Sequence, residues 1–410
     1  MTGMGHAAVQ VEFQPDRAAG LQKLDRFLPN TGLRYAKLRN FDRASGPSAS
    51  VSALSPWIRH RLLSEQEVLQ AVLERHTLRD AEKFVSEVFW RGYFKGWLQH
   101  RPSVWARYQQ QLPDLLDNAA SRQDYSDAVA GRTGIDCFDH WARELVETGY
   151  LHNHARMWFA SIWMFTLRLP WQLGADFFLR HLMDGDPASN TLSWRWVGGL
   201  HTQGKTYLAR ADNIAKFTDG RFDPEGQLAD EAPALAEGVI HPREQLAAPR
   251  FEPPQADYLL LLTEEDLTFG DDLPRGPAAS AVLGGADGRS PRAIGDKADA
   301  FRQGALRDGV EKSGISADRL LHETANADLA HKVVSLAQKE GLTHVVTGYA
   351  PVGPTADKLA ALGKILAQEG IQLHQLHRSY DALVWPNASK GFFGLKKVIP
   401  SVLRELNMPV

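Results

Sequence analysis

Residues 150–196 read YLHNHARMWFASIWMFTLRLPWQLGADFFLRHLMDGDPASNTLSWRW. The stretch packs five tryptophans, an Asn/His/Arg/Met cluster and the acidic turn Asp184-Gly185-Asp186 into one block. A pair of core helices could use the tryptophans alone. It would have little use for DGDPASN between them, because buried carboxylates, hydroxyls and amides need polar partners. Polar groups set in an aromatic wall describe a site for a large, flat, polar ligand. The same spacing also suits a turn and a capped helix end, so the motif alone leaves both readings open.

Working outward, the flanks are helical in grammar. SVSALSPWI (50–58) opens as a hydroxyl-rich loop feeding a helix, with Pro56 near its first turn. Ser64 and Glu67 form the Ser-x-x-Glu signature of a capping box. In AEKFVSEVFWRGYFKGWL (81–98), Glu87, Trp90 and Arg91 fall at i, i+3 and i+4 and share a face. TGLRYAKLRNFDR (31–43) is basic and carries Tyr35. Strand-like alternation is hard to find before about residue 215, so the first half is expected to be nearly all helix.

The composition then shifts. From 222 to 300 there are 16 Asp/Glu against 6 Lys/Arg, with many prolines and glycines, whereas 151–221 holds 8 Lys/Arg against 5 Asp/Glu. Residues 223–257 are expected to form an acidic, Pro-rich linker. Beyond it, YLLLLTEED (258–266) has the form of a buried parallel strand. Residues 326–378 then alternate helix, strand, helix and strand, which argues a doubly wound parallel sheet. The expected organisation is an N-terminal segment (1–46), a helical domain (47–222), the linker (223–257) and an α/β domain (258–410). In fold class this is an α+β multidomain chain, all-α first and Rossmann-like second.

Bulk properties narrow the function. The 410 residues carry a net charge of −3, so any nucleic-acid contact needs a local basic patch. A single cysteine, Cys137, excludes an internal disulfide or a Cys-rich zinc site and suits a reducing compartment. No apolar signal core or run of about 18 apolar residues is evident, so a soluble cytoplasmic protein without membrane contact is expected. His152 and His154 lack metal spacing, and HExxH, Walker A and GxSxG motifs are absent. GYAPVGPTADK (348–358) superficially suggests a phosphate loop but lacks the GK[ST] ending. Asn153 and Met157 share a face beside Arg156, an arrangement more often packing than chemistry. The small hydroxyl residues of SVSALS could hold phosphate or merely cap a helix. Trp171, Trp194 and Trp196 could be core anchors, a hole-hopping path or a stacking platform.

Several of these segments together resemble the FAD-binding helical domain of the cryptochrome/photolyase family. SVSALSPWI is similar to its TSRLSPYL motif, and EVFWRGYFK to its ELxWREFY helix. GRTGIDCFDHWARELVETGYLHNHARM resembles GxTGxPxVDAxMRxLxxTGxMHNRxRM. LPWQLGADFFLRHLMDGDPASNTLSWRW resembles DWxxGxxYFxxxLxDGDxAxNxxxWQW. The resemblance runs from about Tyr35 to Phe222 with spacing preserved. It implies bound FAD, with Tyr35, Ser52, Leu54 and Ser55 on the pyrophosphate side. Arg156 and Asp184 would pair beside the isoalloxazine, Asp186 would meet the ribityl or ribose side, and Asn190 would lie near flavin N5. Glu87, Trp90, Asn153, Met157 and Trp196 match the positions that contact a cyclobutane pyrimidine dimer in repairing members. Light-driven repair of UV-damaged DNA with a flipped-out dimer is the implied activity. A blue-light photoreceptor without repair is the alternative, and a non-photochemical flavoprotein with a nucleotide-binding α/β domain is a third reading.

Departures from the family pattern are equally specific. Trp194 and Trp171 match the inner members of the photoreduction chain, but the outer position falls near Ala128, leaving Tyr125 or another aromatic to finish the path. Gly92 replaces the second Glu of WREFY, and Phe84 stands where a Trp often lines the adenine side. The histidine pair of (6-4) photolyases is absent, with Asn153 at its second position, and there are no four cysteines for the iron–sulfur branch. The family places its α/β antenna domain before the helical domain, whereas here an α/β domain follows, as in a circular permutation. A second antenna chromophore is implied only by the family, since no chromophore residues match. A monomer is expected.

Overall fold

A computed structural model describes residues 13–43, 50–284, 288–314, 319–321 and 326–410. Among the described residues the first half holds twelve α-helices: α1 (Arg17–Phe27), α2 (Leu33–Leu38), α3 (Ser55–Arg59), α4 (Glu65–Arg75), α5 (Leu78–Gln99), α6 (Ser103–Ala119), α7 (Gln123–Ala130), α8 (Asp136–Thr148), α9 (Asn153–Ser161), α10 (Trp171–His181), α11 (Pro187–Val197) and α12 (Ala211–Phe217). Local chemistry sets many of the boundaries. Ser64 and Glu67 close a complete capping box at the start of α4. Gly131 and Gly149 end α7 and α8 in the left-handed conformation that glycine tolerates best. Asp16 and Thr77 cap α1 and α5 with their side-chain oxygens. Helices α1 and α2 belong to the helical core through Leu24, Phe27 and Tyr35, so that unit begins ahead of residue 47.

After an extended, largely exposed segment come β1 (Leu259–Thr263), β2 (Ala279–Leu283), α13 (Asp296–Lys312), β3 (Leu320–Leu321), α14 (Asn326–Lys339), β4 (His344–Gly348), α15 (Pro354–Gln368), β5 (Gln372–Leu376), α16 (Ser379–Val384) and α17 (Phe392–Glu405). The five strands are parallel in the order β3-β2-β1-β4-β5, a doubly wound sheet. Two of its strands, β2 and β3, carried no signal in the sequence.

The sheet is sandwiched, and that explains why β1 is apolar at every position. Side chains alternate across a strand, so Leu260 and Leu262 point one way and Leu259 and Leu261 the other. Leu260 and Leu262 join the core of the helical half, together with Phe301, Tyr380 and Trp385. Leu259 and Leu261 join a second core with Val333, Leu359 and Leu362. The two halves are therefore one packed body on that face. Helices α16 and α17 lie on α5. The approach requires glycine: a Cβ at Gly96 would sit 2.7 Å from Trp385 Cα, and one at Gly92 would sit 3.0 Å from Tyr380 Oη and Val384 Cγ1. That is the physical reason a glutamate is not accommodated at position 92. Among the described residues, no helix is long and apolar enough to cross a membrane.

Candidate functional site

Helices α5, α9 and α11 pack together and carry most of the singled-out side chains. Helix α11 begins at Asp186, which accepts from Ser189 N at 2.7 Å, with Pro187 in the first turn. Helix α9 begins at His152, whose Nδ1 accepts from His154 N at 3.2 Å. His152 is thus a cap that lies outside the helix. Burial lowers its pKa from 6.5 to about 4, in keeping with a neutral acceptor ring.

These caps deliver two carboxylates into a cationic setting. Arg156 Nη1 donates to Asp184 Oδ2 at 3.0 Å, and Asp184 is almost fully buried. Burial alone would raise the Asp184 carboxyl, but Arg156, the Ser55 hydroxyl and Arg91 together hold it below the usual range. Asp186 is deeper. Burial is again outweighed, by Lys95 at 3.8 Å and by Arg59 and Arg91, and its carboxyl lies well below the usual range. Asn190, also buried, donates Nδ2–H to the Ala175 carbonyl at 2.8 Å.

A second group is less deeply buried. Glu87, half-buried, is ion-paired to Arg39. Burial raises the Glu87 carboxyl, and Arg39 and Lys83 only partly offset this. Tyr35 is buried against Phe27 and Phe84 and feels the Glu87 charge. Trp90 is half-buried, with one face stacked on Phe392 of α17 at 3.8 Å and 10°. Trp196, also half-buried, stacks on Tyr207 at 5.9 Å. Asn153 is exposed and Met157 half-buried on α9, while Ser52 and Ser55 are half-buried beside the buried Leu54.

Trp194 and Trp171 are arranged differently from each other. Trp194 meets Trp163 edge-on at 6.1 Å, and Trp163 meets Tyr125 at 6.1 Å. Trp171 stacks on Tyr108 at 5.8 Å, with the Arg195 guanidinium over its ring. Tyr125 therefore connects to Trp194 through Trp163, a residue the sequence did not mark.

Several buried polar atoms at this site have no hydrogen-bond partner within the protein: Arg91 Nε and Nη2, Asp184 Oδ1, Asp186 Oδ2, Ser189 Oγ and Trp194 Nε1. Each such group costs about 1–3 kcal/mol unless something pairs with it. The set mixes donors and acceptors, as a ligand bearing a pyrophosphate, ribityl hydroxyls and a pyrimidine edge would require. FAD fits that donor set. Among the described residues, no group of three His, Cys, Asp or Glu is placed to hold a metal ion.

Arg91, Lys95, Arg39 and Arg59 belong to this electrostatic setting but were not among the expected site residues. A signal existed for two of them. Glu87, Arg91 and Lys95 repeat every four residues within the largely apolar stretch 84–98 of α5, which is one continuous charged stripe.

Residues 84–248 match the family model described as the FAD binding domain of DNA photolyase. The chain is 35% identical over 231 residues to the deoxyribodipyrimidine photo-lyase of Thermus thermophilus, covering 54% of this chain and 52% of that protein. It is 31% identical over 195 residues to that of Streptomyces griseus, covering 44% and 42%. A solved bacterial class III photolyase from Agrobacterium tumefaciens aligns at 29% identity with a TM-score of 0.41, over 49% of this chain and 42% of that one. The chain spans about half the length of the curated relatives it matches.

Proposed function

We propose, from the premise that this chain belongs to the cryptochrome/photolyase family through its helical half, that it is a light-driven, FAD-dependent lyase splitting cyclobutane pyrimidine dimers in DNA. The observation that carries the reading is the set of unpartnered buried polar atoms on Arg91, Asp184, Asp186 and Ser189 beside the Arg156–Asp184 pair, next to packed helices that carry Glu87, Trp90, Asn190 and Trp196. Bound and reduced, FAD would supply the light-excitable electron that opens the dimer. The protein would do the rest by positioning.

Arg156 and Asp184 would hold the flavin's polar edge, and Arg91 and Lys95 would balance the charge around Asp186. Asn190, its amide nitrogen committed to Ala175, would offer its oxygen to flavin N5. Glu87, whose carboxyl burial raises, would exchange Arg39 for substrate and, in its protonated form, donate to a dimer carbonyl. Trp90 would present its free face to the flipped dimer, with Phe392 stacked behind it, and Trp196 would form the opposite wall. Asn153 and Met157 would line the floor between them. DNA would be held by basic residues of the helical half, with the salt dependence that phosphate contacts impose. We read the late α/β domain as the antenna-type domain in permuted order, the protein as a cytoplasmic monomer, and Trp194 and Trp171 as electron carriers.

The test is repair of a cis-syn thymine dimer in a single-stranded oligonucleotide by the pure, photoreduced protein, in light and in darkness. Recovery of thymine absorbance only in light supports the reading, and Glu87→Ala should then lower the yield tenfold or more while FAD stays bound. No repair by protein whose FAD photoreduces would move it to the photoreceptor class.

A further inference from the structure

In an open doubly wound sheet the ligand normally lies in the crevice beyond the carboxyl ends of the strands, where the strand order reverses. Here that point lies between β1 and β4. Its walls are the residues after β1, Glu264-Glu265-Asp266, and the loop from β4 into α15.

The helical half fills this place. Arg59, at the end of α3, is fully buried, and its Nη1 and Nη2 donate to Glu265 Oε2 and Oε1 at 2.7 and 2.8 Å. This is the bidentate geometry that fixes both partners. Thr355, in the first turn of α15, reaches the same carboxylate at 3.4 Å. The third donor of Arg59 points the other way: Nε donates to the Gly185 carbonyl at 2.8 Å. Gly185 is the residue between Asp184 and Asp186. A second contact closes over the same turn. Gly353, at φ +152°, lies so near α11 that a Cβ there would sit 3.0 Å from Pro187 Cγ. Pro187 directly follows Asp186.

We infer that the α/β domain uses its switch-point crevice to grip the 184–187 turn through Glu265 and Arg59, which makes Arg59 and Glu265 positioning residues for the flavin site. The inference rests on the reading that this turn binds FAD. It gives the domain a role that does not require its own ligand. Arg59 also contributes positive charge beside Asp186, so the grip sets both the position and the charge of that carboxylate. Glu264 lies 3.7 Å from Arg59 but is itself paired to Arg289 at 3.0 Å, so it is a poor substitute when Glu265 is neutralised.

The experiment compares full-length wild type with Glu265→Gln, Glu265→Asp and Asp381→Asn. Asp381 pairs with Arg61 at 2.6 Å in the same buried interface, but Arg61 makes no contact with the turn. FAD affinity is measured by fluorescence titration of FAD-free protein, the flavin midpoint potential by dye-coupled titration, and folding by the thermal midpoint without FAD. Glu265→Gln should weaken FAD binding tenfold or more and shift the potential, with partial recovery in Glu265→Asp. Asp381→Asn should lower the thermal midpoint while leaving affinity within threefold. If Glu265→Gln and Asp381→Asn change affinity equally, or if Glu265→Gln leaves it unchanged, the inference is overturned. Should Glu265→Gln not fold, Glu265→Asp against Asp381→Asn decides by the same criterion. Failure of wild type to bind FAD at all would instead refute the functional reading.

Discussion

Replacing Asn190 by aspartate probes one buried amide whose orientation the structure determines. Asn190 is 8% exposed and donates Nδ2–H to the Ala175 carbonyl at 2.8 Å. A carbonyl oxygen can only accept, so the amide nitrogen must face it and the amide oxygen must face elsewhere. In Asn190→Asp an ionised carboxylate meets that carbonyl as a second acceptor. The lost hydrogen bond is worth about 1 kcal/mol, and the unpaired buried acceptors cost about 1–3 kcal/mol more, giving about 2–4 kcal/mol in total. A protonated carboxyl, however, can donate to Ala175 and restore the bond. The folded-state pKa of the new acid must therefore rise above its unfolded value near ~3.9, by about 1.5–3 units for that energy. With a raised folded pKa, the ionisation penalty is absent below the unfolded pKa and grows as pH climbs toward the folded one. Urea unfolding of FAD-free wild type and variant, followed by circular dichroism, should show a stability gap smaller at pH 5 than at pH 8 by about 1–2 kcal/mol. An equal gap at both pH values, or no gap, would refute the assigned amide orientation and with it an acceptor aimed at flavin N5.

Two further outcomes follow from packing and burial. His60 and His152 are buried and neutral, with burial as the main cause (Arg59 adds to it at His60), and their pKa values fall from 6.5 to about 3 and about 4. Their contribution is complete above pH 6.5 and is lost as pH falls toward those values, by up to about 1.4 kcal/mol per pH unit for each. The thermal midpoint should drop from pH 7.5 to 5. His60→Asn, which keeps a donor for the Glu264 carbonyl that now accepts from Nδ1 at 2.9 Å, should flatten the drop, and an unchanged slope would count against the assignment. Gly174→Ala would place a Cβ 2.2 Å from Trp194 Cη2, an overpacking worth about 1–3 kcal/mol or more. A thermal midpoint equal to wild type would mean that Trp194 does not pack against α10 as described.

The helical half was legible because its signals are local. The Ser64–Glu67 box, Pro56 at the start of α3 and the spacing of Glu87, Trp90 and Arg91 each act within one or two helical turns. In the second half, β1 and β4 stood out as short apolar runs, and β5, which is mostly polar, by its place in the alternation of helix and strand. Strand β2, ASAVL, is small and lightly apolar, and β3 is two residues long, so neither rises above a loop by composition. Strand order depends on crossovers that no window of sequence contains. The same distinction runs through the site. Arg156, Asp184 and Asp186 fell within one stretch, 150–196, and were singled out together, and the first two are an ion pair. Arg59 was not, because an isolated arginine on a short helix looks like a surface cation until its partner is known. That partner lies 206 positions further along the chain.

The chemistry of the interface between the halves is unusual for a surface that only needs to stick. Arg59, Arg61, Arg289 and Arg378 are paired there with Glu264, Glu265, Asp266 and Asp381, and all eight are nearly fully buried. Removing such ions from water costs several kcal/mol each, and their mutual attraction repays this only when geometry is close to ideal, so apolar side chains of similar volume would often hold the halves together as well. Apolar contacts, though, tolerate sliding. A guanidinium that must meet both oxygens of Glu265 and the Gly185 carbonyl at once is satisfied in a single relative placement of the two halves. Net stabilisation near zero and strict placement are compatible, and a site whose unpartnered atoms belong to Asp184, Asp186 and Arg91 depends on the second. The ion pairs are best understood as fixing where the 184–187 turn sits, while Leu260, Leu262, Phe301 and Trp385 provide the apolar burial that keeps the halves joined.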